Sequence, residues 1–289
     1  MKLRSLVLFL IAAWLLVAGS RAASQSGSKL TSNEMAVDIY GGYLVVAPGS
    51  VNGLGNLRFL LDTGAVNSAI DRAVAEKLGL RGAAAKVTSF DKTLDCEWAV
   101  VQDLTLGPEH ISNQHVMIED LSYLRLAEAR VDGLIGLDIL RRKSFVLDYA
   151  GERILFGQPA SPGMRSVPIR ADDRSISVEV YLDGKPVRMV ADTGVRGPVF
   201  FADSLHDLFT DYRVQRRSRG RSVAGAVEDE VATVPRLSIG GHQLGREVTV
   251  VSAPDTARLT GASGYLGLAS LDAKQVAFDF ETNQLLWSR

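Results

Sequence analysis

Two Asp-Thr-Gly triplets stand 130 residues apart in the chain, Asp62-Thr63-Gly64 and Asp192-Thr193-Gly194. Each directly follows an apolar run, Leu57-Arg-Phe-Leu-Leu in the first case and Pro186-Val-Arg-Met-Val-Ala in the second. A carboxylate at the end of a buried strand is held to the tolerance that bond chemistry demands. The glycine two residues on permits a tight loop and a close backbone approach that a side chain would block. The threonine between them offers a hydroxyl that can hydrogen-bond across to an opposing loop. If two such loops face each other, their carboxylates cannot both ionise cheaply. They share one proton and titrate as a unit with widely separated apparent pKa values. The ionised partner can then take a proton from a water while the protonated one polarises a carbonyl, which is the chemistry of peptide hydrolysis without metal or covalent intermediate.

One triplet alone is weak evidence, because Asp-Thr-Gly also makes an ordinary turn. The second copy lies in an independent repeat. Residues 133–156, beginning Gly-Leu-Ile-Gly-Leu, align without gaps on residues 264–287, beginning Gly-Tyr-Leu-Gly-Leu, at an offset of 131, with seven of the 24 positions identical. Two landmarks thus recur in the same order and at the same spacing, which marks a duplicated lobe. Residues 158–163, Gln-Pro-Ala-Ser-Pro-Gly, are the expected boundary. The expected division is a signal peptide at 1–22, a flexible lead-in at 23–34, an N-terminal lobe at 35–160 and a C-terminal lobe at 161–289.

The elements that must position the triplets read mainly as strands. Ile176-Ser-Val-Glu-Val-Tyr-Leu alternates, Asp183-Gly184 supplies a tight turn, and the chain returns toward Asp192. Residues 146–156 and 276–287 read as closing hairpins. A helix is expected over 68–78, with Ile70, Val74 and Leu78 on one face and Gly79 as its stop, and a weaker counterpart over 202–212. The fold class is mainly β, in two similar lobes.

Composition narrows the remaining classes. An apolar share of 46% describes a folded globular chain, and a formal charge of −1 gives no support to nucleic acid as a partner. Lys2 and Arg4 precede the apolar residues 6–18, and Ser20-Arg21-Ala22 offers small residues at the positions a signal peptidase inspects. Cleavage there would leave 29 basic against 33 acidic residues, a net of −4. The expected location is periplasmic or secreted, with an uncleaved N-terminal anchor as the alternative and no membrane contact after cleavage. Cys96 is the sole cysteine, so no internal disulfide can form. Its acidic neighbours Asp95 and Glu97 raise a thiol's pKa, which argues against a nucleophile.

The triplets, extended as Asp62-Thr-Gly-Ala65 and Asp192-Thr-Gly-Val195, together with Leu134-Ile-Gly136 and Tyr265-Leu-Gly267, resemble the retropepsin-like aspartic peptidases. Their bacterial two-lobed relatives are the nearest likeness and the pepsins a more distant one. The resemblance implies a two-lobed acid-protease fold, a double β-barrel built by internal duplication, and aspartic endopeptidase activity on a peptide or unfolded protein. It implies Asp62 and Asp192 as the catalytic pair, with Gly64 and Gly194 in the supporting loops and Thr63 and Thr193 interlocking the lobes. It implies no cofactor and no metal. Because both motifs occur in one chain, a monomer should suffice. The family also has a hairpin flap, for which residues 87–101, carrying Phe90 and Trp98, and residues 223–231 are candidates. The glycine-rich tip expected in lobe one is missing. Ala65 and Val195 stand where pepsin-like enzymes carry Ser or Thr, so a higher pKa for the pair and a mildly acidic to near-neutral optimum are expected. A peptide- or polymer-binding protein on the same fold is the rival reading; the intact triplets argue for chemistry.

Other signals carry less. The run Arg213, Arg216, Arg217, Arg219, Arg221 reads as a solvated loop. His110 and His115 lack a third ligand. Gly261-Ala-Ser263-Gly264 lacks the spacing of a nucleophile elbow, and Gly53-Leu-Gly55 lacks the rest of a dinucleotide fingerprint. Asp148 and Asp279 read as turn-formers.

Overall fold

A computed structural model describes residues 31–288, apart from 90–91, 123, 125–129, 158–162, 210–211 and 223–224, together with the short strand Leu6–Val7. Apart from Leu6–Val7, the expected signal segment, most of the lead-in, Phe90 and residues 158–162 of the expected boundary therefore lie outside the described residues. Glu34, expected to end the lead-in, instead opens the strand Glu34–Ala36, which pairs with Arg153–Phe156.

The first half of the chain closes into a barrel. Around it run Lys92–Leu106, Glu109–Glu119, Ala69–Asp71, Gly133–Ile135, Leu54–Leu61 and Leu44–Val51, and the last pairs back onto the first through Gly49/Leu106, Ser50/Thr105 and Val51/Leu104. The second half repeats the order: Gly225–Thr233, Glu247–Val251, Pro198–Phe201, Gly264–Gly267, Lys185–Asp192 and Ile176–Leu182. Here closure falls to a separate strand, Leu237–Ile239, on Ile176–Leu182. The single long strand of lobe one is broken at the matching place by Pro235, which has no N–H to give to a ladder.

Burial follows the sequence pattern. In Ile176–Leu182, Val178, Val180 and Leu182 are buried while Glu179 and Tyr181 face solvent. Asp183 and Gly184 both take positive φ, 49° and 82°, as a two-residue hairpin turn requires. The first helix is shorter than its periodicity suggests, spanning Arg72–Lys77 with Asp71 as its cap, its side chain accepting from Ala73 N–H at 3.0 Å. Ala69 and Ile70 are taken instead by a strand between Met117–Ile118 and Gly133–Leu134. Tertiary pairing overrides helical periodicity there. The counterpart helix is Ala202–Leu208, also shorter than expected. The arginine run is not a loop: Arg213–Ser222 is a strand paired with Gly225–Thr233, and Arg217 Nε donates to Glu230 Oε1 at 3.3 Å. Both flap candidates fall on hairpins, Ala83–Ser89 with Lys92–Leu106 and Arg213–Ser222 with Gly225–Thr233.

A six-stranded sheet joins the lobes, in the order Arg165–Ala171, Gln284–Ser288, Gln275–Asp279, Phe145–Asp148, Arg153–Phe156, Glu34–Ala36. At its centre Val146 opposes Ala277, with Phe145/Phe278 and Leu147/Val276 on either side. These residues are related by the repeat offset of 131, so the pseudo-twofold axis passes through the Val146/Ala277 pair. Phe145 and Phe278 stack at 5.0 Å between centroids and bury this seam. Both closing hairpins are present as expected, and Asp148 and Asp279 hold their turns: Asp148 accepts from Gly151 N–H at 2.9 Å, and Asp279 from Glu281 and Thr282 N–H at 3.0 and 3.1 Å. No helix among the described residues is long and apolar enough to cross a membrane.

Candidate active site

Asp62 follows Leu54–Leu61 and Asp192 is the last residue of Lys185–Asp192; both are fully buried. In each lobe a short parallel strand fixes the end of the carrier strand. Asp62 N–H donates to Ile135 C=O at 2.9 Å, and Asp192 stands in register with Gly267. The glycine of each apolar-apolar-Gly element is needed for this. A Cβ on Gly136 would come within 2.9 Å of Ala65 O, and one on Gly267 within 2.5 Å of Val195 O. The repeated glycines therefore let the flanking strand press against the loop that carries the aspartate.

The threonines tie the two loops together reciprocally. Thr63 N–H donates to Thr193 Oγ1 at 3.0 Å, and Thr193 N–H to Thr63 Oγ1 at 3.1 Å. Each hydroxyl then donates onward to the opposite strand, Thr63 to Ala191 C=O at 2.9 Å and Thr193 to Leu61 C=O at 2.7 Å. Four buried bonds, of which each adds about 0.5–1.5 kcal/mol net, cross the lobe boundary at the foot of the two aspartates. Apolar packing crosses it as well: Val66 of the first lobe packs on the cluster of Val190, Val195, Val199 and Tyr265, and Ala269 of the second on that of Leu60, Ala65, Met117 and Leu134.

The carboxyls are thereby brought to one place. Gly64 N–H donates to Asp62 Oδ1 at 2.8 Å, while a Cβ built on the same Gly64 would lie 2.6 Å from Asp192 Cγ. Both acids thus flank one glycine. Ala65 N–H adds a second bond to Asp62 Oδ1 at 3.1 Å, and Gly194 N–H donates to Asp192 Oδ1 at 2.7 Å. Among the described residues no group hydrogen-bonds Oδ2 of either aspartate. Neither Ala65 nor Val195, both buried, carries a hydroxyl that could. Burial raises the Asp62 carboxyl well above the usual range and the Asp192 charge raises it further; the Gly64 and Ala65 N–H groups oppose this only in part. Burial raises Asp192 as well. Tyr43, Tyr149 and Tyr265 are kept protonated first by burial, and the Asp192 charge adds to each.

Such an arrangement is chemically specific: two acids, each with one oxygen clamped by backbone N–H groups, each with the other open, and with desolvation favouring a retained proton. The other candidates stay apart from it. Cys96 is buried and its thiol is pushed up to about 11 by desolvation, then by Glu119, Asp95 and Glu97. His110 Nδ1 sits 3.3 Å from Thr105 Oγ1, and His115 is exposed on the strand Glu109–Glu119. Sequence reasoning missed the network of Ser68, Gln114, Asp138 and Arg142 behind the Asp62 loop. The signal available was a departure from the repeat: Asp138 aligns with Ala269 and Ser68 with Pro198.

A family model described as aspartyl protease matches residues 47–139 and, a second time, residues 178–269, one match per lobe. No curated protein matches the chain. Two matches, each containing one triplet and one apolar-apolar-Gly element and together spanning more than half of the sequence, establish that the chain belongs to the retropepsin-like aspartyl protease family.

Proposed function

We propose that the protein is an aspartic endopeptidase that cleaves an extended peptide, or an unfolded segment of protein, held between the lobes. The observation that carries this reading is the convergence of Asp62 and Asp192 on Gly64, with one oxygen of each acid left without a hydrogen-bond partner among the described residues. In the resting state the pair holds one proton. The ionised member takes a proton from a water as its oxygen adds to the scissile carbonyl carbon, while the protonated member gives its proton to the carbonyl oxygen. The resulting gem-diol collapses as the carboxyl proton passes to the leaving nitrogen, the other carboxylate takes a proton from a diol hydroxyl, and the C–N bond breaks. One water is consumed, an amine and a carboxylic acid leave, and the pair returns to its starting protonation.

The loops supply what the reaction needs. Backbone N–H groups hold both Oδ1 atoms, so the open oxygens face the reacting centre without reorganisation. An extended substrate suits a cleft between two β lobes because main-chain hydrogen bonds can hold it as an added strand. Both triplets lie in one chain, which supports a monomeric enzyme with lobes at 35–160 and 161–289. The basic, apolar and small-residue order of residues 1–22 supports export.

Digestion of a denatured protein in ¹⁸O water tests the mechanism. New C-termini should carry ¹⁸O, no acyl-enzyme should accumulate on rapid quenching, and chelator should leave the rate unchanged. A trapped covalent adduct would remove the water-activation mechanism, and intact substrate with measurable peptide affinity would favour a binding role.

A further inference from the structure

Beside the Asp62 loop lies a cavity of about 440 Å³ lined by Asn67, Trp98, Gln114, His115 and Asp138. Resting on the hydrolytic reading above, we propose that this cavity is a specificity subsite for a substrate side chain ending in a primary amide, glutamine or asparagine, and that it sets the direction in which substrate lies.

The polar wall of the cavity is built and held. Ser68 Oγ donates to Asp138 Oδ1 at 2.7 Å and Gln114 Nε2 to Asp138 Oδ2 at 2.8 Å. Both donors are themselves fixed: Gly136 N–H donates to Ser68 Oγ at 3.0 Å, and Arg142 donates to the Gln114 side-chain oxygen. Each carboxylate oxygen so anchored keeps a further lone pair for an incoming donor. Asn67 lies between Val66 and Ser68, which are both bonded to Asp138, Val66 C=O accepting from Asp138 N–H at 3.1 Å. Its Nδ2 is buried and has no hydrogen-bond partner among the described residues. An unanswered buried donor beside an acceptor with spare capacity calls for a group that both accepts and donates, and a primary amide does so from two separate atoms. Its carbonyl answers Asn67 and its NH2 answers Asp138. A carboxylate would be repelled by Asp138, an ammonium would leave Asn67 unanswered, and an alkyl group would leave both so. Trp98 gives the methylenes of such a side chain an apolar wall.

The duplication adds a second, independent argument. At the positions of Asn67, Ser68 and Asp138 the second lobe carries Gly197, Pro198 and Ala269, and a Cβ on Gly197 would meet open space. The triplet loops are alike in the two lobes, so they alone give a strand no preferred direction. Asn67, Ser68 and Asp138 have no like residues at the matching positions of the second lobe, and this asymmetry supplies the preference.

The test uses matched peptides that differ only in carrying Gln, Leu, Lys or Glu at one scanned position. Binding is measured by calorimetry to the Asp62→Asn protein, and kcat/KM on the parent. At a single position Gln should exceed Leu by about ten- to a hundredfold, the range set by leaving buried polar groups unpaired. Asn67→Ala should abolish that preference, and Asn67→Asp should move it from Gln to Lys, a change that mere loosening of the loop does not produce. Equal affinity for all four peptides, a parent that already prefers Lys, or a Gln preference untouched by Asn67→Asp would overturn the subsite. A parent that cleaves without such selectivity loses the subsite alone. A protein that cleaves nothing, yet selects Gln through Asn67, keeps the subsite and loses the hydrolytic reading.

Discussion

Thr63 and Thr193 each accept the other's backbone N–H on the side-chain oxygen, at 3.0 and 3.1 Å, so neither aspartate loop can shift without the other. Replacing either by valine keeps the shape but removes one acceptor and one donor, leaving buried groups unpaired at about 1–3 kcal/mol each. Thr63→Val and Thr193→Val should each lower the melting temperature by several degrees and cut kcat by at least tenfold. The double variant should cost less than the sum, because the two share one network. Thr→Ser at either position should be nearly silent. Additive losses in thermal melts would show that the loops are fixed independently.

Gly64 separates the two acids. A methyl at this position cannot be absorbed, since it would lie 2.6 Å from Asp192 Cγ. Gly64→Ala should therefore abolish peptide cleavage while the lobes remain folded by circular dichroism. Gly55, whose added Cβ would meet nothing within 4 Å, is the control, and Gly55→Ala should retain full activity. A Gly64→Ala enzyme with ordinary turnover would mean that the carboxyls do not meet there during catalysis.

Burial and the neighbouring charge push the pair's pKa upward, and neither Ala65 nor Val195 offers a hydroxyl to offset this. Activity should thus peak at mildly acidic to near-neutral pH. Ala65→Ser and Val195→Thr would each give an ionised Oδ2 a donor, and each should shift the acidic limb of kcat/KM down by about one unit, within the range that a hydrogen bond to the charged form produces. A profile unmoved by both substitutions would place the controlling ionisation elsewhere.

Stability against pH offers a test away from the site. Glu119 is buried, has no hydrogen-bond partner for either oxygen among the described residues, and is pushed up to about 7 by desolvation, with Arg72 opposing. A carboxyl with a raised folded pKa binds more protons folded than unfolded, so its linkage makes stability fall as pH rises from the unfolded value through about 7. Glu119→Gln should raise the melting temperature at pH 8 and change it little at pH 4. Equal shifts at both values would point to packing rather than ionisation.

The parts of this molecule set by short-range patterns were legible in the chain. Asp183-Gly184 requires a two-residue turn whatever surrounds it, and Asp62 and Asp192 stood out because their triplets recur in step with Gly136 and Gly267. Where distant pairing decides, periodicity misled. Ile70 fits a helical face with Val74, yet Gly133 and Ile118 draw it into the sheet. The arginine run resembles a loop until the acidic strand opposite, with Glu230 facing Arg217, is in place. The Asn67 cavity gave no motif at all, because Gln114 and Asp138 meet only after the barrel closes.

The shared-proton mechanism needs both acids. Hydrolysis of a fluorogenic peptide mixture should be measured across pH 3–8 for the parent, Asp62→Asn and Asp192→Asn, with folding verified by thermal melts. Asn keeps the Oδ1 acceptor for Gly64 or Gly194 N–H but cannot exchange the proton, so each single variant should lose at least about a thousandfold in kcat/KM while staying folded. An Asp192→Asn enzyme that turns over at the parent rate would contradict a shared-proton pair and leave Asp62 acting alone.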